Sequence, residues 1–183
     1  MLPSRHYASG LSFCNEDLLA AGRIVVIFVS QRNSLRSIMA QACLAHLGAD
    51  RFTVYSCGRP GLVSDAIHPA AARALCSANV PIPLVEPHGW DRLARASLHT
   101  ADFIITLDEA TQSAEPCWPG QPNSALWALP DVAALGDPDE SARAATQVLY
   151  SLRRRLEFLN ILLRRGADST AVRSDVRDLA HMQ

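Results

Sequence analysis

The chain contains no lysine. All 17 of its basic residues are arginine, and they stand against 18 acidic residues for a formal net charge of −1 over 183 residues. Nothing in that balance suggests the strongly basic face that nucleic-acid-binding domains present, and no function is drawn from the arginine bias itself. There is no run of 18 apolar residues, so no membrane-spanning helix is expected. The opening MLPSRHYASGLSFCNEDLL lacks a continuous apolar stretch and does not read as a secretory signal. Cysteine is sparse and scattered: Cys14, Cys43, Cys57, Cys76 and Cys117 are odd in number and none forms a CxxC pair. This pattern argues against a disulfide framework and against a zinc site. The expectation is a cytoplasmic protein with reduced thiols, no metal and no cofactor.

What is present suits one globular domain of α/β size, with 49% apolar and 19% charged residues. Arg23 to Val29 is a short β-branched run typical of a buried strand. Apolar positions at Met39, Ala42, Cys43, Leu44 and Leu47 follow helical spacing from Ile38 to Leu47, with Gly48 placed as a C-cap. Phe52 to Cys57 alternates as a strand and ends at Gly58. A helix is predicted over Pro69 to Ala78, ended by Pro81 and Pro83. Ala101 to Leu107 reads as a third strand and Ala125 to Ala128 as a short fourth. The longest helix is predicted from Asp139 or Ser141 to about Arg165, with a stripe through Ala145, Leu149, Leu152, Leu156, Leu159 and Leu163. Arg153, Arg154 and Arg155 read as a solvated face.

Strands alternating with helices in this way predict a single three-layer α/β domain, a four-stranded parallel sheet with helices on both faces. It would occupy residues 23–165. Residues 1–22 read as an N-terminal extension, with a short helix at Glu16 to Ala21, and residues 166–183 as a polar C-terminal tail.

In such a sheet ligands sit beyond the carboxyl ends of the strands, which points to the joint after the first strand, Ser30-Gln31-Arg32-Asn33-Ser34-Leu35-Arg36-Ser37. A strand–loop–helix joint offers unpaired backbone N–H groups and the positive end of a helix dipole. Arg36 supplies a fork of donors matched to two oxygens of a tetrahedral anion. Asn33 tolerates a left-handed conformation. Ser37 can cap the helix or bond to Ser30. A loop that merely connects strand to helix stays open at this point.

The order and spacing of these residues resemble the active-site loop of the low-molecular-weight protein tyrosine phosphatases and the thioredoxin-coupled arsenate reductases, which reads Cys, five residues, Arg, Ser after the first strand. MAQA after Ile38, YSCGRPG from Tyr55 to Gly61, ADFIITLDE, and CWPGQPNSALWALPDVAALGDPDE resemble further segments of that family, in order, from about Arg23 to Leu163. The resemblance implies the family's fold, an anion-binding loop formed by Gln31, Arg32, Asn33, Ser34, Leu35, Arg36 and Ser37, and a general-acid position at Asp131.

The same resemblance places Ser30, an alcohol, on the nucleophile. A serine hydroxyl is far less acidic than the thiol whose ionisation this loop promotes. Arg32 stands where the family has a loop glycine, Val132 where a proline follows the acid, and Ala133-Ala134 where aromatic residues flank a phosphotyrosine. The reductase relay of three cysteines maps onto Ser30, Asp108 and Cys117, and Leu35 replaces a second loop cysteine. The expected function is therefore binding of phosphate, sulfate or an arsenate-like anion, or of a phosphorylated protein, without efficient turnover. Two alternatives stay open: a phosphatase or arsenate reductase with an atypical nucleophile, and a non-catalytic interaction module. A homodimer, through the N-terminal extension or the Leu149/Leu156 helix, is also open. No nucleic acid and no membrane is expected as a partner.

Overall fold

The computed structural model describes residues 22–95, 101–164 and 169–181. Four strands form one sheet: β1 (Ile24–Val29), β2 (Phe52–Cys57), β3 (Phe103–Thr106) and β4 (Asn123–Leu126). Their order is β2-β1-β3-β4, every pair is parallel, and Ile24 faces Phe52 while Val26 faces Phe103. The expected four-stranded parallel sheet is what forms. The fourth strand begins two residues earlier than predicted.

β1 carries the sheet because its two side-chain sets are both apolar. Val26 and Phe28 point into one core cluster, Ile27 and Val29 into another, as the two-residue period of a strand requires. Over the first face pack α1 (Arg36–Leu47), α2 (Pro69–Ser77) and α5 (Pro138–Arg164). The second face is covered by α3 (Trp90–Arg95), through Leu93 and Trp90, and by Trp118. Full burial of side chains such as Phe28, Ile105 and Leu152 stabilises each contact by roughly 1.5–3 kcal/mol.

The sequence reading missed α3 and the single turn α4 (Glu109–Gln112), both too short to show a period. Gly48 does follow α1, but at φ −147 it is not left-handed. Its lack of a side chain serves packing, since a Cβ there would lie 2.5 Å from the Phe52 ring. Arg155 is not on the solvated face: it is buried, because a helix brings it beside the stripe residues Leu152 and Leu159. Burial lowers its pKa from the ordinary arginine value.

The stretch read as a polar tail contains α6 (Ser169–Asp178) and a 3₁₀ turn (Leu179–His181), with Val176 and Leu179 buried. The buried indole of Trp127 donates to the Val176 carbonyl at 2.9 Å, tying α6 to the end of β4. The sequence of α6, STAVRSDVRD, is mostly polar and so reads as a tail. The expected helix at Glu16 to Ala21 lies outside the described residues. Among the described residues no helix is long and apolar enough to cross a membrane.

Candidate functional site

The chain leaves β1, crosses to β2 on one side, then returns to β3 on the other. The connections after β1 and β3 therefore part at the carboxyl ends of two neighbouring strands, where parallel sheets open a crevice. Residues 30–35 occupy one side of that crevice, Leu107 and Asp108 the other.

The loop is held from outside by its carbonyls. Those of Gln31, Arg32, Ser34 and Leu35 accept from the N–H groups of Arg59, Ser64, His68 and Met39 at 2.9–3.0 Å. In a trans peptide the next residue's N–H points opposite the carbonyl. The N–H groups of Arg32, Asn33, Leu35 and Arg36 are thus turned to the loop's interior, and none meets a protein acceptor among the described residues. α1 begins at Arg36 behind Leu35, without a side-chain cap, so its positive end adds to the same interior. The concavity is lined by backbone donors, the arrangement of an anion-binding nest.

Asn33 fixes the shape. It adopts φ +50, the left-handed region that asparagine tolerates. Its amide Nδ2 donates to Ser37 Oγ and Ser56 Oγ, both at 2.9 Å, and its Oδ1 accepts from the His88 N–H at 3.0 Å. Ser56 Oγ in turn donates to Gln41 Oε1 at 2.7 Å. Gly58 passes so close to the loop that a Cβ would sit 3.1 Å from Asn33. Ser56, Gln41 and His88 escaped the sequence reading. The available signal was Ser56, a polar residue next to the end of an otherwise apolar strand.

Ser30 is 2% exposed and its Oγ lies 2.8 Å from Ser37 Oγ. Of the roles open to Ser37, bonding to Ser30 is the one observed; it caps nothing. Among the described residues no histidine or carboxylate bonds to Ser30. His88 Nδ1 lies against the Glu86 carbonyl at 2.8 Å, His68 Nδ1 accepts from the Ala70 N–H, and His46 is at the far end of α1. Among the described residues no base is hydrogen-bonded to the hydroxyl to activate it.

Arg36 is buried and fully engaged. Nη1 donates to the Leu129 carbonyl at 2.8 Å and less closely to that of Leu107 at 3.4 Å. Nη2 pairs with Asp108 at 3.3 Å and with Asp131 at 3.4 Å. The Asp108 carboxylate also accepts from the Gln31 N–H at 3.1 Å and caps α4 through the Thr111 N–H at 2.8 Å. It stands where one oxygen of a bound anion would compete for the same donors. The predicted residues Ser30, Asn33, Ser34, Leu35, Arg36, Ser37 and Asp131 do converge; the Arg32 side chain is exposed at the mouth. There a cleft of about 350 Å³ is lined by Gln31, Arg32, Leu62 and Ser64 among others.

Among the described residues no cysteine offers a thiolate in the place of Ser30. Cys57 and Cys43 are buried, and burial pushes both thiols up, Cys43 to about 12. Cys117, at the third relay position, is exposed. Among the described residues no group of three or more His, Cys, Asp or Glu is placed to hold a metal.

This combination, a parallel sheet with a donor-lined loop between β1 and α1 closed by an arginine, defines a class of oxyanion-handling α/β proteins. Residues 25–124 match the family described as low molecular weight phosphotyrosine protein phosphatase, and the chain belongs to that family. It is 31% identical over 106 residues to a glutaredoxin arsenate reductase from Synechocystis, covering 58% of this chain and 76% of that one. An arsenate reductase solved in a phosphate-binding state is 28% identical, with a TM-score of 0.60 over 74% of this chain and 95% of the other. A thioredoxin-dependent arsenate reductase from Corynebacterium glutamicum shares the fold, with a TM-score of 0.61 at 24% identity, over 83% of this chain and 67% of that one.

Proposed function

We propose that this protein binds phosphate or a similar tetrahedral oxyanion in the Ser30–Ser37 loop and does not turn it over. The observation that carries the reading is the cradle itself. Four carbonyls are committed outward, so Arg32, Asn33, Leu35 and Arg36 are left with inward N–H donors. Buried backbone donors without partners are costly, and an anion supplies the acceptors. A solved relative described as binding phosphate in the same fold supports the choice of ligand.

The chemistry stops at binding because attack needs an ionised nucleophile. The loop's field lowers a thiol's pKa into the useful range. The Ser30 hydroxyl starts far higher, and its partner is another hydroxyl. Binding exchanges one set of Arg36 contacts for another: the guanidinium turns from Asp108 and Asp131 toward the anion, at a cost in affinity set by the two carboxylates.

Calorimetric titration with inorganic phosphate tests the reading. The expected Kd lies between micromolar and millimolar, with a stabilisation of about 2.7 kcal/mol at a hundredfold excess over Kd. Hydrolysis of p-nitrophenyl phosphate should match the buffer blank for wild type and Ser30→Ala alike. Absence of heat, together with an unchanged melting temperature in excess phosphate, would remove the binding claim. A phosphoryl adduct on Ser30 would remove the claim of no turnover.

A further inference from the structure

The helix α5 turns Ala145, Leu149, Leu152, Leu156 and Leu159 into the core, which takes the Leu149/Leu156 face out of consideration as an interface. Its opposite side is unusual. Three of the five large apolar side chains exposed on the described surface lie there: Tyr150 at 65%, Phe158 at 43% and Ile161 at 47%. With Arg154 and Glu157, both exposed, they fall within an arc of about 100° at 3.6 residues per turn. Tyr150, Arg154, Glu157 and Ile161 are spaced four, three and four, the spacing of a helix-pairing seam.

The order of residues along this stripe is self-complementary. If a second α5 runs antiparallel across a twofold axis passing midway between Arg155 and Leu156, Tyr150 meets Ile161 of the other copy. Arg154 then meets Glu157, each contact occurring twice. Opposite charges sit at the centre and apolar groups at both ends, as an isologous interface requires. The Arg153–Glu157 pair seen within the helix, at 3.9 Å, is loose enough to yield to this arrangement.

We infer that the Tyr150–Ile161 stripe of α5 is a docking surface for a second copy of this chain, forming an antiparallel twofold dimer. The stripe is only about 16 Å long at 1.5 Å per residue, so the contact is small and the dimer weak, in the micromolar range. The anion loop lies at the carboxyl edge of the sheet, and this surface makes no use of it.

Sedimentation velocity on the full chain across a concentration series tests the inference. The expected result is a concentration-dependent shift from a 19.9 kDa species to one of twice that mass. R154E brings like charges together at two symmetric points and should weaken association by about 10- to 100-fold. E157R should do the same. The double variant R154E/E157R restores opposite charges across the axis and should recover the wild-type constant. All substitutions are at exposed positions, and unchanged circular dichroism would show an intact fold. A monomer at every concentration overturns the inference, whatever else covers the stripe. So does a dimer indifferent to R154E and to F158E, or one that the double variant fails to restore.

Discussion

The carboxylate of Asp108 stands 3.3 Å from the guanidinium of Arg36, and with Asp131 on the same nitrogen it holds the loop's one buried cation among the protein's own acids. Because Asp108 also takes the Gln31 N–H, it plays the part of an anion supplied by the chain. The energetic question for this loop is thus competition between a resident carboxylate and an incoming oxyanion.

Replacing Asp108 by asparagine should therefore raise phosphate affinity. The amide keeps the shape and can still cap α4, but it removes one negative charge adjacent to a dianion. At separations near 4 Å such a charge is worth about 1–4 kcal/mol, so the gain in Kd should be at least about fivefold. Isothermal titration of D108N beside wild type measures it. Equal affinities would show that Asp108 does not face the bound anion.

The loop should still ionise a thiol. In Ser30→Cys, the inward N–H groups, the α1 dipole and Arg36 favour the thiolate, so its pKa should fall below the free value of about 8.5. The sign follows directly: stabilising the charged form of an acid lowers its pKa. Difference ultraviolet absorbance of S30C against wild type, followed through a pH titration, reads the midpoint. Hydrolysis of p-nitrophenyl phosphate by S30C should exceed that of Ser30→Ala, and a midpoint at or above the free value would show a loop without the expected field.

The Asn33 amide satisfies three partners at once, two of them buried, so its removal strands them. Asn33→Ala leaves Ser56, Ser37 and the His88 N–H without their partner and puts alanine at φ +50. The expected loss is about 2–4 kcal/mol. Ser56→Ala, which leaves one amide hydrogen unpaired, should cost about 1–3 kcal/mol. Urea unfolding gives both values, and phosphate binding should fall further in the first variant than in the second.

Alkaline pH should destabilise the fold through its buried thiols. Cys43 is raised from 9.0 to about 12 and Cys57 is raised further, in each case chiefly by burial. A raised folded-state pKa means the unfolded chain releases its proton first, so stability holds below about pH 9 and falls from there toward pH 12. Urea midpoints across that window should decline, and C43A/C57A should flatten the decline. At pH 8, alkylation mapped by peptide mass spectrometry should mark the exposed Cys76 and Cys117 and spare Cys43 and Cys57 until unfolding.

Much of the architecture was legible because its signals are local. RIVVIFV could only be buried on both faces, the spacing after Ile38 could only be helical, and alternation of such segments implies a parallel sheet. The loop between them was legible for the same reason, since a strand running straight into a helix must leave backbone donors exposed. Short or polar elements were not: α3 and α4 span too few residues to print a period, α6 is mostly polar in composition, and Arg155 differs from Arg154 only in which way one helix faces.

The sequence by itself determined the strand–loop–helix frame, the arginine that closes it and the hydroxyl at position 30, because each depends on residue identity within a few positions. The tertiary structure alone decided what Arg36 holds, since Asp108 and Asp131 lie 72 and 95 residues away and reach it only when β3 aligns beside β1 and β4 beside β3. It also decided which way the loop's peptides turn, because the partners of their carbonyls come mostly from the segment after β2. Charges and hydrogen bonds act over ångströms in space, and distance along the chain does not report that separation.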